Sequence, residues 1–187
     1  WTENHDGFYR LRAMETSSAE KLTVPALAEG TIGFDCAADQ GTLLVRVNSW
    51  QKPAELLTWN FDDQRVRTVF SANLAGIDPG KLVRPSSIRM RARDGVELQG
   101  LLYLPAGEPP AGGFPVLFDV HGGPTSQSVA NFEPVAQYHV QQGIAVFQPN
   151  VRGSTGFGRT YTQLDDQEKR LDSIRDLVDM LTHFDAD

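Results

Sequence analysis

Short runs in which apolar and polar residues alternate fill the first seventy positions. Residues 7–14 and 21–27 read as strand-like runs around the break Thr16-Ser17-Ser18. Four more follow at 31–37, 42–48, 55–61 and 65–70, separated by the turn-rich stretches 38–41, 50–53 and 62–64. Short strands with turns at this spacing predict an all-β sandwich, barrel or propeller. In the propeller reading, the four strands from 31 to 70 form one blade. The earlier pair forms the outer half of the blade before it.

The rhythm breaks at the turn-rich stretch 73–81, which places a domain boundary near Pro85 and divides the chain into 1–84 and 85–187. In residues 87–93 apolar and basic residues alternate, as on a strand with one buried face and a charged outer face. Asp94-Gly95 predicts a tight hairpin turn with positive φ at both central positions, and 96–104 returns as the partner strand.

After a Pro/Gly-rich loop the pattern changes. Residues 116–120 and 144–147 are compact apolar runs, expected to be strands buried on both faces. Between them 133–142 reads as a helix stopped by Gly143, and 150–160 is a glycine-rich loop. A long helix closes the chain. Its apolar stripe is Leu171, Ile174, Leu177, Val178 and Leu181, and Asp172, Arg175, Asp176 and Asp179 are expected to be mostly solvated. An antiparallel start leading into alternating β and α is the opening of an α/β sheet covered by helices.

Composition narrows the function classes. The net charge of -7, from 24 acids against 17 bases, argues against a nucleic-acid binder. No apolar run approaches the roughly 18 residues of a membrane span. The first residues are polar, without an initiator methionine or a basic leader, so a processed or truncated N-terminus is expected. The lone cysteine, Cys36, cannot form an internal disulfide and reads as a small core residue.

Two loops could carry chemistry. His121-Gly122-Gly123-Pro124 directly follows the apolar run 116–120, and ligand groups in α/β sheets gather at the carboxyl ends of strands. Its glycines could expose backbone N–H groups as part of an oxyanion hole, or the segment is a plain tight turn. The second loop, 150–158, lacks the spacing of a phosphate-binding loop. Ser154 has Gly156 two residues after it but Arg152 two before, so it does not meet the Gly-x-Ser-x-Gly pattern of a nucleophile elbow, and no other serine does. His5, His139 and His183 stand in no metal-ligand spacing. Asp165-Asp166 is read as favouring the dipole of the last helix.

The two loops in this order, with the hairpin segment 93–100 and the blade-like strands before it, resemble the prolyl oligopeptidase family, closest to its acylaminoacyl-peptidase-like and dipeptidyl-peptidase-like branches. The resemblance implies partial β-propeller blades followed by the N-terminal half of an α/β-hydrolase domain. It implies serine peptidase chemistry on short peptides, with no metal and no cofactor. It makes His121, Gly122 and Gly123 the oxyanion-hole loop, and Arg152, Gly153 and Ser154 a supporting loop. In the family the catalytic serine, aspartate and histidine come later, so all three are expected beyond Asp187. Both ends then look cut, and the chain by itself is expected to be inactive. A cytoplasmic location is expected, and the sequence does not fix the oligomeric state. An esterase of the same hydrolase fold, or a non-catalytic propeller-based binding module, are the competing readings.

Overall fold

The computed structural model describes residues 1–37, 41–123 and 125–186. Residues 38–40 of the predicted turn 38–41, Pro124 and Asp187 lie outside the described residues. The chain forms two compact units: Trp1–Leu82 together with Val129–Glu133, and Val83–Ser128 continuing from Pro134 onward.

The first unit is all β. Strands β1 (Thr2–His5) and β2 (Phe8–Leu11) form a hairpin, with His5 opposite Phe8. Its turn, Asp6-Gly7, has positive φ at both residues, 54° and 91°. This is the mirror-image turn whose twist suits a two-residue hairpin. Strand β1 has no apolar alternation from Thr2 to His5 and so carries no periodic signal. Strand β3 (Ala13–Met14) pairs with β4 (Lys21–Leu22). The run predicted at 21–27 is therefore a strand only at its start. Pro25 has no N–H for a ladder, yet Val24 and Leu27 still pack on the core.

Strands β5 (Gly30–Ala37), β6 (Thr42–Ser49), β7 (Lys52–Asn60) and β8 (Val66–Ser71) form a four-stranded antiparallel meander in chain order. In β6 the alternation is regular: Leu43, Val45 and Val47 are buried, whereas Leu44 and Arg46 face outward. With Leu11, Ile32 and Trp59 they make the core of this unit. Residues 129–133 join it through hydrogen bonds from Ala130 N–H to the Gly7 carbonyl (3.0 Å) and from Phe132 N–H to Asn48 Oδ1 (3.2 Å). Cys36 is exposed, not a core residue.

The second unit contains β9 (Ser86–Arg91), β10 (Glu97–Tyr103), β11 (Val116–Phe118), α1 (Pro134–Gln141), β12 (Ala145–Asn150), the short α2 (Arg159–Thr162) and α3 (Arg170–Ala186). The sheet order is β11-β12-β10-β9. Strand β10 is antiparallel to both its neighbours, and β11 is parallel to β12 across the α1 crossover. Close packing needs a glycine in mid-strand: a Cβ at Gly100 would lie 2.2 Å from the Phe147 ring. Phe118, Phe147 and Phe184 meet edge to face around the core of Met90, Leu98, Phe147 and Met180.

Three expectations change here. The Asp94-Gly95 hairpin has positive φ only at Gly95 (87°). Gly95 N–H bonds the Ala92 carbonyl and Ala92 N–H bonds that of Val96, the arrangement of a type I turn closed by a glycine bulge. Among the described strands β11 has β12 as its one neighbour and ends at Phe118, and Leu117 in it and Val120 beyond it are exposed; β12, by contrast, is buried along its full length.

Helix α3 is rotated relative to the expectation. Ser173, Asp176 and Met180 are buried, with Leu177 and Phe184 packed on the same core. Leu171, Ile174, Val178 and Leu181 face outward. Among the described residues no helix is long and apolar enough to cross a membrane.

Candidate active site

Because β11 and β12 are parallel, their carboxyl ends lie at the same edge of the sheet, and the two loops of interest leave from there. Asp119 N–H bonds the Phe147 carbonyl (2.9 Å) and Asp119 Oδ2 accepts from Gln148 Nε2 (2.9 Å), which prolongs the contact between the strands into the first loop. His121 then turns to the second loop: its Nε2 lies 3.1 Å from Ser154 Oγ. Its Nδ1 lies 3.3 Å from the carbonyl oxygen of Gly122. Gly122 and Gly123 are exposed, and a Cβ built on either would meet no atom within 4 Å. Gly123 has φ 52°. Among the described residues, neither glycine N–H has a hydrogen-bond partner.

The second loop is held from below. Asn150, fully buried, donates from Nδ2 to Gln99 Oε1 (2.7 Å) and to the Ser128 carbonyl (3.1 Å), while Ser128 N–H donates to Asn150 Oδ1 (2.7 Å). That amide therefore ties β10, the loop ending at Ser128, and β12 together. Tyr161 Oη donates to the Asn150 carbonyl (2.8 Å), and burial pushes its phenol up.

Arg152 is buried beside two carboxylates. Its Nη2 lies 2.7 Å from Asp176 Oδ1 on α3, and its Nη1 lies 2.7 Å from Asp94 Oδ2 in the hairpin turn. Its backbone N–H also donates to Asp176 Oδ2 (3.0 Å). These bonds, Asp176 first, hold the guanidinium above the usual arginine range. Arg152 in turn holds Asp94 down to about 2. Burial pushes the Asp176 carboxyl up, against the hydrogen bonds from Arg152 that pull it down.

Gly153 follows at φ 94°, and a Cβ there would lie 2.3 Å from Asp165 Cγ. Asp165 is itself buried and paired with Arg170 at 3.3 Å. Ser154 is fully buried; its N–H bonds the Val151 carbonyl (3.0 Å) and its own carbonyl accepts from Thr162 Oγ1 (3.2 Å).

All six residues singled out from the sequence thus lie in two adjoining loops joined by the His121–Ser154 contact. Asp94, Asn150, Asp165 and Asp176 also support the site, although the sequence offers Asp94 as a turn residue, Asn150 as a loop residue, Asp165 as a helix-dipole residue and Asp176 as a solvated one. For Asp176 a signal existed: Ser173, Asp176, Met180 and Phe184 recur every three or four residues and share one helix face. For Asn150 there is none, since its partner Gln99 is 51 positions away; Asp165 has Arg170 five positions on, but its approach to Gly153 appears only in the folded loop.

A separate apolar cavity of about 460 Å³ in the first unit is lined by Leu11, Phe34, Cys36, Leu43, Trp59 and Phe61, among others.

Residues 130–187 match the profile of the prolyl oligopeptidase family. Over that segment the chain is similar to the prolyl oligopeptidase family. An uncharacterized peptidase of Bacillus subtilis is 26% identical over 169 residues, covering 86% of this chain and 26% of that protein. The fold is similar to that of a puromycin hydrolase (TM-score 0.79, 23% identity, covering 95% of this chain and 27% of that one). It is also similar to prolyl oligopeptidase B from Galerina marginata bound to a 35mer substrate (TM-score 0.83, 14% identity, 97% and 26%). The chain therefore spans about a quarter of the length of these relatives. The prolyl oligopeptidase match takes in Asn150, Arg152, Gly153, Ser154 and Asp176, whereas the His121 loop precedes it.

Proposed function

We propose that this chain carries the oxyanion side of a serine peptidase active site acting on short peptides. In this reading the β5–β8 meander is a propeller blade and the second unit is the first half of an α/β-hydrolase domain. His121, Gly122 and Gly123 form the loop that binds the developing oxyanion. Arg152, Gly153 and Ser154 hold the loop beside it. The observation that carries the reading is a pair of exposed glycines at the carboxyl end of a parallel strand, whose N–H groups have no partner among the described residues. Acyl transfer builds negative charge on the former carbonyl oxygen, and backbone donors placed in advance stabilise it without reorganising.

Ser154 is not the nucleophile in this reading. It has a histidine within hydrogen-bond reach, which is half of a nucleophile's signature. Yet it is fully buried, so no substrate carbonyl can approach its Oγ. The attacking serine, its histidine and its aspartate then belong to the larger peptidase that carries this segment. Peptide-bound and puromycin-hydrolysing relatives support a peptide substrate.

The test replaces Gly122 and Gly123 singly by proline and by alanine in the active peptidase. Proline deletes the N–H, and alanine keeps it. Loss of one oxyanion donor costs about 10²–10³ in kcat. A loss of that order in a proline variant, with KM little changed and the matching alanine variant much less affected, is expected. Wild-type kcat in both folded proline variants would reduce the loop to a turn. A fluorophosphonate probe should leave Ser154 unlabelled, and stoichiometric labelling there would reverse its assignment.

A further inference from the structure

The His121–Ser154 contact decides which proton sits where. Nδ1 of His121 faces the Gly122 carbonyl oxygen at 3.3 Å, and a carbonyl oxygen can only accept. In the neutral imidazole the proton then belongs on Nδ1. Nε2 is left as an acceptor, so the Ser154 hydroxyl at 3.1 Å donates to it. Ser154 Oγ is enclosed, and a buried hydroxyl normally keeps a partner. Its backbone is held on both sides, by the Val151 carbonyl and by Thr162 Oγ1.

The consequence runs one peptide further. The Gly122 carbonyl and the Gly123 N–H belong to the same planar trans peptide, in which they point in opposite directions. Drawing that carbonyl toward the imidazole turns the Gly123 N–H away from it. Glycines 122 and 123 have no side chains, so His121 is the one side chain in 121–123 that can fix the loop. Its partner is on the other loop.

We infer that Ser154 is a positioning residue: through His121 Nε2 and Nδ1 it orients the Gly122–Gly123 peptide and so aims the Gly123 N–H at the reacting carbonyl. This rests on the proposed oxyanion role of the loop. The relay explains why a serine with no access to substrate keeps its hydroxyl directed at a histidine. The serine gives its proton to Nε2 as a hydrogen bond, and no proton is transferred.

The relay is read directly from the imidazole nitrogens of the 187-residue chain by ¹⁵N NMR, at about pH 8.5 where histidine is ordinarily neutral. His121 should hold the Nδ1–H tautomer in the wild type. In folded Ser154→Ala it should shift toward the Nε2–H form, and the Gly123 amide resonance should move or broaden. His121→Ala, a change at a partly exposed side chain, should disturb the Gly123 amide in the same way. The double variant should add nothing further. A wild-type Nε2–H tautomer, or an unchanged tautomer and Gly123 amide in Ser154→Ala, would overturn the relay.

In the active peptidase, Ser154→Ala should lower kcat about tenfold or more with KM little changed, as expected when a donor is misaimed and not deleted. A lost tautomer preference with unchanged kcat would leave the relay standing. It would overturn the oxyanion role instead.

Discussion

Arg152 and Asp176 form an ion pair that solvent does not reach: the residues are 5% and 0% exposed, and Nη2 lies 2.7 Å from Oδ1. The pair joins the loop after β12 to the last helix, and Asp94 extends it to the hairpin turn. Three segments distant in sequence are thus set by one guanidinium. Arginine suits this because its planar fork can serve two carboxylates at once.

Removing one partner of a buried pair leaves the other charged and unsolvated, which costs about 3–5 kcal/mol. Asp176→Ala or Arg152→Ala should therefore unfold the second unit at much lower urea. The combined change Arg152→Met with Asp176→Leu should recover most of the loss, because no buried charge remains. Helix ellipticity in a urea titration reports the second unit, where α1 and α3 lie. The tryptophans, Trp1, Trp50 and Trp59, are all in the first unit and provide a control. A single variant as stable as the wild type would mean that water reaches the pair.

Asp94 gives the clamp a pH limit. Arg152 holds its carboxyl down to about 2 from the ordinary 3.8. Its pKa is therefore lower when folded than when unfolded. The stability it contributes is full above the unfolded value and is lost as pH falls through the folded one. Its side chain is half exposed, so the contribution is modest and screened by salt. The difference in urea midpoint between wild type and Asp94→Asn should be constant from neutral pH down to about 5, and should shrink between about pH 4 and 2. A difference that persists unchanged at the acid end would show that Asp94 acts through packing.

The periodicity of the chain foretold the meander, the α1 crossover and the buried β12, because each depends on residues close in sequence. Turn chemistry was less legible. Two Asp-Gly pairs look alike in the sequence. Asp6-Gly7 takes the mirror-image turn, whereas Asp94-Gly95 takes a bulged one, and Asp94 thereby faces Arg152. Helix α3 turns its less apolar face inward for a physical reason. Its stripe of Leu171, Ile174, Val178 and Leu181 is the more apolar face, but the inward face is the one that carries Asp176 to Arg152. That His121, Gly122, Gly123, Arg152, Gly153 and Ser154 lie in two loops after strands was legible from the apolar runs and the glycines around them. The hydrogen bond between His121 and Ser154 was not, since it spans 33 positions.

Gly153 tests how tightly the second loop is seated. Alanine there meets two penalties: a left-handed φ of 94°, and a Cβ 2.3 Å from the carboxyl carbon of buried Asp165. Gly158 has a similar positive φ of 89°, with an extended ψ of 164° that favours glycine at least as strongly, but open space around it. A positive φ costs a non-glycine residue about 1–3 kcal/mol at either position, and overpacking at Gly153 adds about 1–3 kcal/mol. Gly153→Ala should therefore destabilise the second unit clearly more than Gly158→Ala does. Equal effects in thermal unfolding would mean that Asp165 moves aside at no cost.

The outward stripe of α3 leads to the last prediction. Leu171, Ile174, Val178 and Leu181 are each 48–62% exposed, and they recur at intervals of three and four residues along one face. Single exposed apolar residues are ordinary, but a contiguous row of this kind favours association in water. Strand β11 adds a second adhesive feature: it is an edge strand with Leu117 partly exposed, and unpaired strand edges template contacts between chains. The purified chain should therefore self-associate, with an elution volume on size exclusion that depends on concentration. Ile174→Lys with Val178→Glu should reduce that association without lowering helix ellipticity, because neither side chain is buried. The substitutions sit four apart on the helix, where lysine and glutamate are neighbours and offset each other's charge. If the wild type elutes as a single monomer at all concentrations, the stripe is not adhesive. If the double variant loses helix content, the stripe supports the fold itself and the outward orientation of α3 is wrong.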